Sequence, residues 1–329
     1  MAILFVTRND RKALISRYCN WLNQRAIEIP VHVTHENPNS ANGWVPNESQ
    51  VLFHPIPKLN AHCFPEWIRE TVRENDIKCV VPLGDRDLLP LVSNLPLGNG
   101  KRNVCLATES RFSRLAQFLD KATFANLSGK AWSVPRFAVA SDQTFSELAN
   151  MIGPPPWIIK PRNGTSSKEV QIIRNEKHYN DANRQPDFII QSQVDGTPIT
   201  VDVLQVGSKF QIAARYRKHV IGSQSVVMSP CSNDAALNAA RDIVRAINLD
   251  GIWNFQFIER HGHFFLHDVN PRPSSGVYYS VARGMSVFEF ITSLATGKRF
   301  NNGTLDQIIR SDLEMCIYQE YELRTIAKF

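Results

Sequence analysis

Apolar residues at every second position predict a β-hairpin near the carboxyl end of the chain. Trp253, Phe255 and Phe257 follow the period of a half-buried strand. A polar turn at residues 259–263 separates them from the apolar run 264–266. Two apolar runs joined by a short polar segment are typical of antiparallel strands connected by a tight loop.

The second predicted strand ends in residues that could bind a metal ion and an anion. Period two places Asp268 and Asn270 on one face, and strand pairing would bring Gln256 beside them. Carboxylate and amide oxygens suit Mg²⁺, which keeps its other positions for water and phosphate. Pro271 ends the strand because it has no N–H to donate, and we expect Arg272 to be free to bind an anion. An ordinary hairpin with polar residues facing water is the alternative interpretation of this stretch alone.

The first third of the chain alternates between strand and helix patterns. Apolar runs at 2–7, 29–34, 78–82 and 103–107 are interleaved with helical patterns at 11–25 and 65–75. This alternation predicts a parallel, doubly wound sheet over residues 1–110. The turn after the first strand has no Gly-x-Gly-x-x-Gly, so we do not predict a dinucleotide site there.

The turn after the apolar run 78–82 is a candidate substrate contact. Open α/β sheets bind ligands at the carboxyl ends of their strands, and this turn contains Asp85, Arg86 and Asp87. We expect Asp85 and Arg86 to contact substrate. Asp87 is better interpreted as a first-turn acid that meets the helix dipole.

The middle of the chain contains a small, hydroxyl-rich loop. We predict helices at 110–126, which includes Lys121, and at 144–152, followed by strands at 157–160 and 169–173. Between those strands lie Gly164, Thr165, Ser166 and Ser167. Their backbone N–H groups and hydroxyls could surround phosphate oxygens, and Lys160 would add a positive charge. A solvated hairpin is the alternative, and the loop does not match the Gly-x4-Gly-Lys-Ser/Thr pattern.

The remaining patterns predict further strands and helices. Strands are predicted at 187–192, 199–204 and 211–216, a helix at 234–249 capped by Gly251, and helices from 277 and over 286–295. The tail 301–329 is amphipathic, and we assign no function to it.

Composition and charge limit the classes of protein to which this chain can belong. The chain has 329 residues, of which 43% are hydrophobic and 21% charged, as in ordinary soluble proteins. It contains no apolar run long enough to span a membrane. The pattern at its N-terminus predicts a strand and not a signal peptide. Its six cysteines form no C-x-x-C pair. We therefore expect a cytoplasmic protein with reduced thiols and no membrane partner.

The net charge of +6 and the pI near 9.0 raise nucleic-acid binding as an alternative. The Lys and Arg residues are dispersed, without a block of five or six. A mildly basic, solvated surface explains that distribution better, so we do not expect nucleic acid as a partner.

Taken in order, these motifs resemble the ATP-grasp superfamily, and most of all its carbamoyl-phosphate-synthase-like and carboxylate–amine ligase branches. The resemblance covers about residues 75–300. It rests on Asp120-Lys121, Ile158-Ile159-Lys160-Pro161-Arg162, Ile190-Gln191-Ser192-Gln193-Val194-Asp195-Gly196, Val201-Asp202-Val203, Phe255-Gln256-Phe257 and Asp268-Val269-Asn270-Pro271-Arg272.

The resemblance implies a fold and an arrangement of domains. The fold class would be α/β, with a Rossmann-like parallel-sheet pre-ATP-grasp domain over residues 1–110. Two α+β lobes would clamp ATP, a small lid lobe over 111–190 and a large lobe with the metal site over 191–329. A homodimer would also fit the resemblance.

The resemblance also implies roles for individual residues. The nucleotide contacts would be Lys121, Lys160, Gly164, Thr165, Ser166, Ser167, Gln191, Ser192, Val194 and Asp202. Gln256, Asp268 and Asn270 would hold Mg²⁺, with Mn²⁺ as an alternative. Arg272 and Lys160 would act in catalysis by steadying the transferred phosphoryl group.

The implied activity is an ATP-dependent ligase that phosphorylates a small-molecule carboxylate and joins it to an amine, such as an amino acid or peptide-like substrate. The candidate substrate contacts are Asp85, Arg215, Arg217, Ser274 and Ser275. Two departures from the family pattern favour an alternative, a nucleotide-binding protein without ligase activity. Asp268 stands where the family has Glu, and Thr197-Pro198 stands where an acid is expected near the ribose.

Overall fold

The computed structural model describes residues 1–8, 11–37, 51–58, 61–98, 104–140, 143–163, 169–182, 184–221, 224–301, 303, 305, 307–309, 316–319 and 322–325. These residues form three sheets. The predicted phosphate loop of Gly164, Thr165, Ser166 and Ser167 lies outside the described residues.

The first sheet is parallel, as the alternation of strands and helices predicts. Its strands are β1 (Ala2–Val6), β2 (Val31–His35), β3 (Val51–Pro55), β4 (Ile77–Pro82) and β5 (Cys105–Leu106), in the order β3-β2-β1-β4-β5. Three helices connect them: α1 (Lys12–Gln24), α2 (Phe64–Glu74) and α3 (Asp85–Asn94). All five residues of β1 are buried, because helices cover both faces of such a sheet. The strand order reverses between β1 and β4, so a crevice lies at their carboxyl ends.

The second sheet is antiparallel and has four strands. They are β7 (Phe137–Val139), β8 (Trp157–Pro161), β9 (Gln171–Ile173) and β10 (Phe188–Ser192), in the order β7-β10-β8-β9. Helices α6 (Phe145–Ile152) and α7 (Glu176–Asp181) cover one face, around a core that includes Trp157 and Tyr179. Thr144 and Glu147 form a capping box that starts α6.

The third sheet is the largest. Its strands are β6 (Trp132–Ser133), β11 (Thr197–Val206), β12 (Lys209–Ile221), β13 (Gln224–Pro230), β14 (Gly251–Arg260), β15 (His263–Asn270), β16 (Gln307–Ile308), β17 (Cys316–Gln319) and β18 (Glu322–Thr325). Their order is β18-β17-β13-β12-β11-β14-β15-β6, with β16 beside β12. The remaining helices are α4 (Phe112–Leu119), α5 (Lys121–Phe124), α8 (Asp234–Ile247), α9 (Val277–Ala282) and α10 (Val287–Thr296). Helix α8 packs on β12 of this sheet, whereas α10 packs on β4 of the first sheet.

Two predicted helices end differently in the structure. The helix predicted over 110–126 is divided into α4 and α5 at Asp120, whose carboxylate caps α5 through Ala122 N–H and also pairs with Arg162. The helix predicted to reach Leu249 ends at Ile247, because Asn248 takes the left-handed C-cap conformation. Gly251, predicted as that cap, instead opens β14.

The sheet to which each strand belongs can be compared with the predicted domain limits at residues 110 and 190. Gln191 and Ser192 belong to β10 and therefore to the second sheet, whereas β6 joins the third sheet from within the predicted lid lobe. The limits themselves stay a prediction. In the part of the chain that is described, no helix is both long and apolar enough to cross a membrane.

Candidate active site

The predicted hairpin is confirmed as β14 and β15. Trp253, Phe255 and Phe257 are completely buried in the core, so the alternate residues of β14 face the opposite side. Gln256 lies directly opposite Asp268 in the strand register, and Asn254 lies opposite Asn270. The face predicted for a metal ion is thus assembled across two neighbouring strands.

A β-bulge interrupts this hairpin at His267. The register passes from the Gln256–Asp268 pair to the Phe257–Leu266 pair, which leaves His267 as an extra residue on β15. Its carbonyl accepts a hydrogen bond of 3.2 Å from Lys160 Nζ on β8. This hydrogen bond at the bulge therefore links β8 of the second sheet to β15 of the third sheet.

A cavity of about 350 Å³ lies over this face, between the second and third sheets and next to the first. The predicted site residues that line it are Asp85, Lys121, Lys160, Gln191, Ser192, Val194, Arg215, Arg217, Gln256, Asp268, Asn270, Arg272, Ser274 and Ser275. Asp202 is not among the lining residues. The structure therefore brings most of the predicted set to one cleft.

One end of the cavity has an apolar wall. Ile158 on β8 pairs with Gln191 on β10, and both line the cavity together with Val194. Ile258 of β14 lines the cavity from the third sheet. Apolar side chains with a few backbone and amide groups suit a flat heterocyclic ring.

The other end of the cavity carries two lysines. Burial, opposed by the charge on Asp268 and aided by that on Lys121, lowers the pKa of Lys160 to about 8. Lys121 Nζ donates to the carbonyl of Arg162 at 3.4 Å. Two ammonium groups at a partly desolvated cleft favour the binding of an anion.

Asp268 is the carboxylate that interacts with both lysines. Burial acts to raise its pKa, but the charges on Lys121 and Lys160 outweigh burial and hold the pKa below its usual value. Asn270 Nδ2 also donates to Asp268 Oδ2 at 3.0 Å. Asp268 is therefore ionised, as a metal ligand must be.

The residues that lie opposite each other on the hairpin offer side-chain oxygen atoms, which are the ligands that a hard cation prefers. Among the described residues there is no cluster of three or more His, Cys, Asp or Glu that could hold a metal ion, so a site here depends on amide oxygens. Gln256 Oε1 accepts from Arg217 at 3.2 Å, and Asn270 Oδ1 accepts from Arg272 at 3.2 Å. One carboxylate with two neighbouring amide oxygens is a donor set that suits Mg²⁺ shared with phosphate.

Arg272 is not free, contrary to the sequence prediction. Its Nε lies 2.6 Å from Asp85 Oδ1 and its Nη2 lies 2.7 Å from Asp85 Oδ2, which is a two-point contact with the first turn of α3. Its Nη1 donates to the carbonyl of Pro273 at 3.1 Å. Asp85, predicted to contact substrate, lines the cavity with its carboxylate engaged in this pair.

Arg215 and Asp202 also form a buried ion pair behind the cleft. Arg215 is 3% exposed and Asp202 is 0% exposed, and the guanidinium contacts the carboxylate directly. Arg215 Nη2 donates to Ser274 Oγ at 2.9 Å, and Ser280 Oγ donates to Asp202 Oδ2 at 2.6 Å. The structure therefore places Asp202 away from the cavity and gives Arg215 a structural partner.

Several lining residues were not proposed from the sequence. Ile158 and Ile258 could have been found, because each lies two positions from a predicted site residue on the same strand face, Lys160 and Gln256. Arg11, at the start of α1, lines the cavity from the first sheet. No local pattern marks Arg11, since its position depends on how the first sheet meets the other two.

Comparisons with known proteins agree with this architecture. A family model described as ATP-grasp in the biosynthetic pathway with the Ter operon matches residues 184–312. The carbamoyl phosphate synthase large chain of Clostridium botulinum strain Alaska E43 is 22% identical over 304 residues, 84% of this chain and 27% of that one. That of strain Langeland is 25% identical over 303 residues. This chain spans about a quarter of the length of these relatives.

Solved structures share the fold. L-amino acid ligase from Bacillus licheniformis has a TM-score of 0.68 at 16% identity, covering 96% of this chain and 79% of that one. N5-carboxyaminoimidazole synthetase from Staphylococcus aureus, complexed with ADP, has a TM-score of 0.67 at 13% identity, covering 92% of this chain and 78% of that one. The biotin carboxylase domain of Hydrogenobacter thermophilus 2-oxoglutarate carboxylase, in complex with MgADP, has a TM-score of 0.67 at 14% identity, covering 91% and 70%.

A parallel N-terminal sheet followed by two α+β units around a cleft is an ATP-grasp fold, as these neighbours confirm. The family model over residues 184–312 and these relatives support the ATP-grasp superfamily that the sequence motifs resemble, and the solved structures share its fold. ATP and Mg²⁺ are the cofactors typical of this superfamily.

Proposed function

We propose that this protein is an ATP-dependent carboxylate–amine ligase. The observation that carries the proposal is the convergence of Lys160, Asp268, Asn270 and Arg272 on one cleft, although they come from β8, β15 and the turn after β15. Lysines and an arginine beside an ionised carboxylate are the groups that neutralise charge in phosphoryl transfer.

ATP would lie with its adenine between the second and third sheets. Ile158 and Ile258 would contact the ring from opposite sides, and the backbone at Gln191 to Val194 would offer hydrogen bonds to its edge. Lys121 and Lys160 would bind the phosphates. Gly164, Thr165, Ser166 and Ser167 are proposed to surround them, as the sequence predicts.

Asp268, Asn270 and Gln256 would hold Mg²⁺. When bound, the ion would neutralise the β- and γ-phosphates and orient the γ-phosphoryl group for transfer. In this proposal the Asp268 carboxylate is the anchoring ligand, because it lies beside both lysines and opposite Gln256.

The reaction proceeds in two steps. A carboxylate oxygen of the substrate attacks the γ-phosphorus, the bond to ADP breaks, and an acyl phosphate forms. The amine nitrogen then attacks the carbonyl carbon, and inorganic phosphate leaves with the former carboxylate oxygen. Arg272, held in place by Asp85, would stabilise the charge on the transferred group, and Arg217, Ser274 and Ser275 would face the substrate.

Turnover of ATP against a library of amino acids and small carboxylates tests this proposal. We expect wild-type protein to release phosphate only when a correct carboxylate and Mg²⁺ are both present. Asp268→Ala should reduce this rate by about a hundredfold or more, since even outer-shell contacts are worth about tenfold to a hundredfold in metal affinity. Arg241→Ala, on the outer side of α8, serves as the control and should turn over normally.

A nucleotide-binding protein without ligase activity is the second candidate. It is favoured by one observation: the amide oxygens of Gln256 and Asn270 already accept hydrogen bonds from Arg217 and Arg272. ADP binding that is unchanged in Asp268→Ala, with no turnover across the library, would favour this candidate over the ligase.

A further inference from the structure

A second cavity, of about 290 Å³, opens beside the main cavity at Asp268 and Asn270. It shares five lining residues with the main cavity: Asp85, Arg86, Lys121, Asp268 and Asn270. The two cavities therefore meet where the γ-phosphate would be bound in the proposed function, on which this inference rests.

The far wall of the second cavity is apolar apart from Asn163. Leu89 and Pro90 contribute from α3, Leu119 from the end of α4, and Val269 from β15. Strand β6 pairs with β15 only at Phe264 and Phe265, so the cavity lies along an edge of β15 that has no strand neighbour in the described part of the chain. A concave apolar surface with charged groups at one end is the usual form of a small-molecule site.

In the proposed function, ATP would leave this space unfilled. Its adenine would occupy the opposite end of the main cavity, near Ile158 and Gln191, and only its terminal phosphate would reach the junction at Asp268. Arg86 lies at the junction, in the first turn of α3, and is exposed to both cavities. A positive side chain beside an apolar wall matches a molecule with one anionic end and one apolar end.

We propose that the second cavity binds the apolar side chain of the carboxylate reactant, an aliphatic or aromatic acid of amino-acid size. Its carboxylate would lie at the junction, close to Arg86 and to the terminal phosphate that it attacks. The carboxylate reactant fits better than the amine, because its side chain must lie within a few bonds of the oxygen that accepts the phosphoryl group. The volume lies at the small end of the range for small-molecule sites, about 300 Å³, which suits a single amino-acid-sized acid.

Calorimetric titration of MgADP-loaded protein with straight-chain carboxylates from acetate to hexanoate tests the assignment. Affinity should rise about fourfold for each added methylene, the value expected for burial of one CH₂ group. Leu89→Trp and Leu119→Trp each place an indole in the cavity and should abolish this rise while acetate binding is kept. Leu52→Trp is the matched control, because Leu52 is 54% exposed on β3 and lines neither cavity.

Phosphate release is measured in parallel with the same acids and a mixture of amines. A graded affinity that is lost in both cavity variants and kept in the control supports the assignment, even if no acid is turned over and the ligase proposal fails. Turnover with an affinity that is flat across the series overturns the cavity assignment and leaves the ligase proposal intact. A rise that persists in both folded cavity variants, or no binding of any acid, also overturns it.

Discussion

At the scale of single residues, the charge on Lys160 is the property most sensitive to its surroundings. Burial lowers its pKa to about 8, so a small rise in pH removes its charge. Arg272 is insulated from such changes, because Asp85 raises its already high pKa against the effect of burial. Lys160 and Arg272, both proposed to act on the phosphates, therefore differ in how their charges respond to pH.

We expect ADP affinity, measured without Mg²⁺, to fall as the pH rises from 7 to 9.5. The ammonium form of Lys160 binds phosphate and predominates below pH 8, and the neutral amine that replaces it above pH 8 does not. Lys160→Arg should remove this pH dependence, because a guanidinium stays protonated throughout the range. Fluorescence titration with a labelled ADP would report both curves. An equal fall in Lys160→Arg would show that another group titrates.

At the scale of elements, buried contacts hold β11, β12 and α9 together behind the cleft. Asp202, Arg215 and Ser280 come from these three elements, and Ser274 joins them from the turn after Arg272. The turn that presents Ser275 and Arg272 is thus held to the third sheet by the hydrogen bond from Arg215 to Ser274, and Asp202 holds that guanidinium in place.

Asp202→Ala should lower the free energy of unfolding by about 3–5 kcal/mol, the usual cost of leaving one member of a buried pair uncompensated. The double variant Asp202→Ala/Arg215→Met should recover part of that loss, since it removes the stranded charge. Urea denaturation measures both. If the single variant were as stable as wild type but bound ADP more weakly, Asp202 would act on the nucleotide, as the family resemblance implies.

The backbone at Gly251, the first residue of β14 in the third sheet, lies very close to the backbone that follows β5 of the first sheet. It has a φ of +76°, and a Cβ there would lie 2.6 Å from Thr108 Cα and 2.8 Å from the Ala107 carbonyl oxygen. Gly207 also has a positive φ of +62°, but a Cβ there would meet nothing within 4 Å.

Gly207→Ala should cost about 1–2 kcal/mol of stability, from backbone conformation alone. Gly251→Ala should cost clearly more, because backbone atoms must also move apart. Thermal and urea unfolding of the two variants give the comparison. Equal losses would mean that the contact between Gly251 and Thr108 is not as close as described.

Local pattern predicts much of this fold and of the candidate site. The period-two run Trp253, Phe255 and Phe257 yields the hairpin, and the same period places Asp268 and Asn270 together, because strand geometry depends on neighbouring residues alone. The ion pairs of Arg272 and Arg215 could not be predicted in this way. Their partners Asp85 and Asp202 are distant in sequence or lie on another strand, so the pairing depends on how the sheets pack.

Strand β3 was also missed by the pattern. It is an edge strand of the first sheet with Val51 buried and Leu52 exposed, so its hydrophobic signal is weak.

The division of the predicted helix at Asp120 was missed as well. Its apolar pattern continues, but a carboxylate that caps α5 and binds Arg162 makes a break more stable than a continuous helix.

At the scale of the whole molecule, three sheets enclose a cleft in which positive side chains outnumber carboxylates. Arg11, Arg86, Lys121, Lys160, Arg215, Arg217 and Arg272 line it, against Asp85, Glu169 and Asp268. That balance suits a nucleotide triphosphate and an acidic reactant in the same space. It also explains part of the net charge of +6 without a nucleic-acid partner.

The transfer of oxygen from the carboxylate to phosphate tests the central claim most directly. The protein is incubated with ATP, Mg²⁺, amines and acids labelled with ¹⁸O in the carboxylate, and the released phosphate is analysed by mass spectrometry. An acyl phosphate intermediate predicts one ¹⁸O atom in each phosphate, with the other retained in the amide product. Phosphate that is released without the label would mean that water attacks ATP directly, and it would contradict the assignment of this cleft to a carboxylate–amine ligase.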